Sequence, residues 1–149
     1  MADFELEHFL PYRLSLLSNR ISNAIARAYR DRFDLSVTEW RVLAILGRHP
    51  GTSARDVARK SGMDKVAISR AVRRLLEAGR IEREPNRSDR RELLLRLSDS
   101  GRAIHDQVVP AALAFERKLE AALEPGEREQ LDRIIDTLMH AAKAPEDER

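Results

Sequence analysis

The chain has 149 residues, 35% of them charged and only 5% aromatic, which allows one domain with a modest core and argues against a large β core. It has no cysteine, so disulfides, thiolate metal sites and cysteine redox sensing are excluded. The formal net charge is only +2, but residues 55–102 hold 14 Lys and Arg against 8 Asp and Glu, while residues 103–149 hold 6 against 11. A local positive field of that kind is what phosphate contacts need.

The start, Met1-Ala2-Asp3-Phe4-Glu5, lacks the basic and apolar regions of a signal peptide. No stretch of about 18 apolar residues follows, so a cytoplasmic location without a membrane partner is expected. From about Glu7 to Phe33 the spacing predicts one long helix. Leu10, Leu14, Leu17, Ile21, Ala24, Ile25 and Ala28 recur at three- and four-residue steps. Arg13, Arg20 and Arg27 share a second face, and Ser15, Ser18 and Ser22 a third. A helix with several distinctive faces is expected to pack against more than one body.

Ser36 with Glu39 three residues later reads as a capping box for a second helix carrying Trp40, Val42, Leu43, Ile45 and Leu46. Gly47 and Pro50-Gly51 are expected to end it. Thr52-Ser53 leads into a third helix over about 54–61, with Val57 and Ala58 as anchors, and Gly62 suits the turn that follows. Asp64 is the expected N-cap of a fourth, basic helix, Lys65 to Leu76. On a helical wheel Ile68, Val72, Leu75 and Leu76 share an inward face, opposite Val66, Ala67, Arg70, Arg73, Arg74 and Glu77.

Ile81–Glu84 and Glu92–Leu97 read as two short strands joined by Pro85-Asn86-Arg87-Ser88-Asp89-Arg90-Arg91. Ser98 is expected to cap a helix running to about Leu123, with Ile104, Val108, Ala112, Phe115, Leu119 and Ala122 as its stripe and Pro110 as a candidate kink. A last helix from about Glu127 carries Leu131, Ile134, Ile135, Leu138 and Met139, and the tail from Ala144 is expected to fray.

The order helix, turn, basic helix, Arg-rich hairpin is that of a winged helix-turn-helix. The expected fold is mainly α with a small β-hairpin wing. It forms a single domain over 1–149, with a DNA-binding lobe over 36–100 flanked by dimerisation helices at 7–33 and 99–143. The extra apolar faces of the terminal helices are best explained by an interlocked homodimer.

These residues carry a resemblance. Asp64-Lys65, Ser69-Arg70, Arg73-Arg74-Leu75, the wing's Asp89-Arg90-Arg91 and Leu97-Ser98-Asp99-Ser100-Gly101 together resemble the MarR (multiple antibiotic resistance regulator) family over nearly the whole chain. The resemblance implies a homodimeric winged-helix repressor whose terminal helices form the dimer interface. Many such regulators release DNA when a small anionic aromatic binds between that interface and the reading lobe. One departure is Val66-Ala67, where relatives often carry Ser or Thr. Apolar groups can meet a thymine methyl but cannot donate to a base edge, so a different operator is expected.

At the DNA, Arg70 is the first candidate for a bidentate guanine contact in the major groove. Lys65, Ser69, Arg73 and Arg74 are base or phosphate candidates, with Val66 and Ala67 beside them. Arg90 is the candidate for the minor groove. Arg87 and Arg91 are phosphate candidates, and Asp89 is expected to pair with a neighbouring Arg and fix the wing. Twofold symmetry implies a palindromic operator in double-stranded DNA, half-sites about one turn apart.

The stretch from Phe9 to Arg20, with Glu39-Trp40-Arg41, resembles regulators of aromatic-acid catabolism within the family. Some of those sense hydroxycinnamate-type acids or their CoA thioesters. Phe9 and Trp40 could wall an aromatic ring, Arg13 or Arg20 could pair with its carboxylate or a phosphate, and Ser15, Asn19 and Ser22 could bond a phenol. No cofactor is expected. His8, His49, His105 and His140 show no metal-ligand spacing, and no nucleophile–base pair or phosphate loop appears, so neither a metal site nor an enzyme is expected. The rival reading is an architectural DNA binder that answers to no ligand.

Overall fold

The computed structural model describes residues 3–143. A 3-10 turn at Leu6–His8 precedes α1 (Leu10–Ala26), α2 (Arg30–Phe33), α3 (Val37–Arg48), β1 (Thr52–Ser53), α4 (Ala54–Ser61) and α5 (Lys65–Glu77). Then follow β2 (Ile81–Pro85), β3 (Leu93–Leu97), α6 (Asp99–Ala121) and α7 (Glu127–Ala141). The fold is mainly helical with a small antiparallel sheet, as expected. The expected fraying tail, 144–149, lies outside the described residues. The chain divides into two compact units between Ala112 and Leu113, within α6.

The first unit is built around one apolar cluster. Val42, Leu43 and Leu46 of α3, Val57 of α4, Ile68 and Leu75 of α5, Ile81 of β2, Leu95 of β3 and Val108 of α6 are all buried. Each such side chain contributes about 1.5–3 kcal/mol by leaving water. The wheel of α5 falls as expected: Ile68, Val72 and Leu75 point inward, joined by Ala71, while Val66 and the arginines point out. Three donors and acceptors settle the helix starts. Ser36 Oγ accepts from Glu39 N at 3.1 Å, Ser53 Oγ from Asp56 N at 3.1 Å, and Ser98 Oγ from Gly101 N at 3.1 Å.

Several details differ from the sequence expectations. The long first helix over 7–33 is broken at residues 27–29. Tyr29 leaves helical geometry there, with φ −136°, and drops into the core at 1% exposure. The capping box at Ser36 closes from one side only, because the Glu39 carboxylate turns inward. Gly47 does not end α3; it lies inside the helix, where a Cβ would stand 2.3 Å from His105 Nε2. The imidazole of His105 occupies the space that a side chain would take. Asp64 sits at the N-cap of α5, but its side chain makes no capping hydrogen bond.

The sheet holds a third strand. β1 pairs with β3, Thr52 opposite Leu95, and the order is β1-β3-β2. In the hairpin Ile81 faces Leu97 and Arg83 faces Leu95. Of the alternating leucines only Leu95 is fully buried; Leu93 is 45% exposed. α6 runs unbroken through Pro110.

Candidate nucleic-acid interface and adjoining cavity

α4, the turn at Gly62 (φ 65°) and α5 form the helix-turn-helix. The outward face of α5 presents Lys65, Val66, Ser69, Arg70, Arg73 and Arg74, all exposed, with Ala67 half-buried. Lys65, Val66, Ser69, Arg70 and Arg73 border one shallow groove. Ser69, Arg73 and Glu77 border a second one, together with Arg83 of β2. Arg83 was not among the sequence candidates. It joins the basic face because it sits opposite Leu95 in the hairpin register, which turns it toward α5.

The wing tip is held by its own backbone. Asn86 N donates to Glu92 O at 3.0 Å, and Asn86 Oδ1 accepts from Ser88 N at 2.9 Å. Asn86 Nδ2 donates to Glu92 Oε2 at 3.0 Å. Asp89 Oδ1 accepts from Arg91 N at 3.0 Å. The expectation that Asp89 pairs with an arginine side chain is therefore corrected. Its carboxylate binds the backbone N–H two residues on, the local bond that favours Asp in turns. The guanidinium groups of Arg87, Arg90 and Arg91 have no ion-pair partner among the described residues and belong to exposed residues of this loop. Arg96, by contrast, lies within 3.4 Å of Glu82 and 3.7 Å of Glu84, which neutralises it on the strand surface.

A cavity of about 450 Å³ opens between α1 and α3. Leu14, Leu17, Ile21, Ile25 and Trp40 supply its apolar wall, Ser18 and Ser22 its hydroxyls, and Arg41 a cation. Arg41 Nη2 donates to Ser22 Oγ at 3.5 Å. Tyr29 stacks on Trp40 with ring centroids 5.6 Å apart. Of the seven ligand candidates, Trp40 and Ser22 line this cavity. Phe9, Arg13, Ser15, Asn19 and Arg20 are exposed and lie outside its lining. The cation present is Arg41, one residue past Trp40, rather than Arg13 or Arg20. Arg41 and Ala44 also border an adjoining groove of about 410 Å³ that contains Arg48, His49 and Lys60.

Burial raises the pKa of the Tyr29 hydroxyl above its ordinary 10.0, against a lowering by Arg30 and Arg41. The native state thus holds this proton to higher pH than the unfolded chain does. Between the two values it binds more protons, so stability falls as pH rises. Urea midpoints taken from pH 8 to pH 11 are expected to show a loss above pH 10 in the wild type that is absent in Tyr29→Phe.

Among the described residues no group of three His, Asp or Glu gathers as metal ligands, and no helix is long and apolar enough to cross a membrane.

Comparison with known proteins gives concordant matches. A profile of the MarR family matches residues 33–92. The multiple antibiotic resistance protein MarR of Salmonella typhimurium is 30% identical over 95 residues, which are 64% of this chain and 66% of the relative. The chain therefore spans just under two thirds of that relative's length. Among solved structures, the PcaV transcriptional regulator from Streptomyces coelicolor, in complex with its natural ligand, superposes with a TM-score of 0.79 at 23% identity, over 96% of this chain and 100% of that one. A MarR mutant from E. coli complexed with operator DNA gives a TM-score of 0.75 at 22% identity, over 92% and 99%. At these identities the two structures speak for the fold alone.

Proposed function

We propose that the chain is a MarR-family regulator, a homodimeric transcriptional repressor that reads a palindromic operator and lets go when a small aromatic acid or its CoA thioester binds. The observation that carries the DNA reading is the exposed basic face of α5 beside a wing tip folded by local hydrogen bonds, with Arg87, Arg90 and Arg91 exposed on it. Exposed arginines there suit phosphates and the narrow minor groove. Arg70 and Arg73 serve the major groove, Lys65, Ser69 and Arg83 its borders, and Arg90 the minor groove. Val66 and Ala67 offer methyl contacts to thymine. The protein acts in the cytoplasm, where such DNA is found.

The terminal helices support the dimer. Leu10, Leu14 and Leu17 of α1 are 46–54% exposed, and Leu131, Ile134, Ile135 and Met139 of α7 are 42–69% exposed. Large apolar residues repeated along one helix at this exposure call for a covering surface, and a second copy of the chain provides it by symmetry.

The cavity supports the ligand. A flat apolar wall at Trp40 suits an aromatic ring, Arg41 suits a carboxylate, and Ser18 and Ser22 suit a phenol. The adjoining groove favours the thioester as a second form of the ligand, since Arg41, Arg48, His49 and Lys60 offer cations to its phosphates. In the PcaV structure a natural ligand is bound on the same fold.

Trp40 is the chain's single tryptophan, so the cavity carries its own reporter. Titration with hydroxybenzoates, hydroxycinnamates and their CoA thioesters is expected to give saturable quenching by one compound, which also dissociates the protein from DNA. Arg41→Ala is expected to weaken that compound about 10- to 100-fold, the range for a lost hydrogen bond to a charged group. Quenching by none, with DNA affinity unmoved, would leave the architectural reading instead.

A further inference from the structure

Glu39 is the one charged residue buried among the described residues, at 4% exposure. A carboxylate in such a place is costly unless a cation stands beside it. That cation is Arg74 of α5, whose Nε lies 3.7 Å from Glu39 Oε1. No other Lys, Arg or His among the described residues comes within 4.0 Å of this carboxylate. The pair is lopsided: the Arg74 side chain is 62% exposed and that of Glu39 only 5%. The acid cannot follow the arginine outward. If Arg74 swings to a phosphate, a buried carboxylate is left without its partner. Arg70 and Arg73, on the same helix, carry no such anchor among the described residues.

We propose that Glu39 is a positioning residue for DNA reading, which retains Arg74 on the protein so that Arg70 and Arg73 are the arginines of α5 offered to DNA. The proposal rests on the DNA-binding reading above. Two features fit an electrostatic role rather than a capping one. The Ser36 cap uses the backbone N–H of Glu39, not its carboxylate, and the carboxylate faces the helix that carries the exposed basic face.

The test is the salt dependence of binding to a duplex without an operator, measured for wild type, Glu39→Gln, Arg74→Ala and the double variant. Glutamine keeps the shape of Glu39 and removes its charge. Each phosphate neutralised adds about 0.9 to the slope of log K against log salt. Arg74→Ala is expected to keep the wild-type slope, because Arg74 is not on a phosphate. Glu39→Gln is expected to steepen the slope by about 0.9 per subunit as Arg74 is released to the DNA, and the double variant to return to the wild-type slope. A flatter slope for Arg74→Ala would overturn the proposal, since Arg74 would then already be on the DNA. So would an unchanged slope in a Glu39→Gln protein whose circular dichroism melt shows it folded. If that variant fails to fold, the Arg74→Ala slope decides alone. Wild-type binding without salt dependence would remove the DNA-binding reading itself, and this proposal with it.

Discussion

Replacing Gly101 by alanine is expected to destabilise the protein by about 3 kcal/mol or more, the upper end of what forced overpacking costs. A Cβ at this position would stand 1.9 Å from the carbonyl oxygen of Arg80 and 3.0 Å from its carbonyl carbon. Both are backbone atoms, so no side chain can swing away. The same carbonyl accepts from Ser98 N at 3.1 Å, and Ser98 Oγ donates to Gly79 O at 2.6 Å while capping α6. Moving α6 off the start of β2 would break this junction, where the reading helix hands the chain to the wing. Urea unfolding of Gly101→Ala beside wild type measures the loss. An unfolding free energy within about 0.5 kcal/mol of wild type, the range of ordinary surface changes, would mean that the junction yields easily.

Arg70→Ala is expected to cost about 1–3 kcal/mol of discrimination per half-site between the operator and a duplex with the contacted guanine replaced. Across a symmetric dimer the two losses add if the half-sites are read independently. The effect should be specific: affinity falls for the operator and much less for unrelated DNA. Arg90→Ala is expected to behave differently, weakening binding most where the flanking minor groove is A·T-rich and narrow. Competition binding with single-base-pair variants separates the two. An Arg70→Ala protein that loses equal affinity for every duplex would place Arg70 on a phosphate rather than a base.

Much of the lobe was legible because its signals are local. The spacing of Ile68, Val72 and Leu75 set the inward face of α5, and with it the outward arginines. Ser53 and Ser98 marked helix starts by the chemistry of their hydroxyls. The wing was readable from turn residues between two apolar runs. What could not be read depended on contacts distant in sequence. β1 is two residues long, and only its pairing with Leu94 and Leu95 makes it a strand. The break after α1 escaped because Ala24, Ile25 and Ala28 continue the helical period, whereas the burial of Tyr29 against Trp40 decides where the chain turns. Gly47 looked like a helix stop, and only the position of His105 reveals why a glycine is there.

The cavity shows the same limit. The apolar stripe with Ile21 and Ile25 and the serine face with Ser18 and Ser22 were visible in the spacing as separate faces, yet nothing in that spacing says that both meet α3. Choosing the arginines at positions 13 and 20 followed their heptad alignment, but the partner helix brought its own cation in Arg41. A usable signal lay in the neighbourhood of Trp40, because residues adjacent to a ring that walls a cavity sit at its rim. Glu39 misled for a related reason. Its distance from Ser36 fits a capping box, but its carboxylate is taken by Arg74 across the α3–α5 interface.

The central claim is that two copies of this chain read one palindrome. Its most direct test is fluorescence anisotropy of wild-type protein on duplexes from the DNA upstream of its own gene and its neighbours, each beside a shuffled duplex of equal composition. Tight, salt-sensitive binding of two chains to one duplex, with half-sites about 34–36 Å apart, is the predicted result. Equal and weak affinity for native and shuffled duplexes would contradict it.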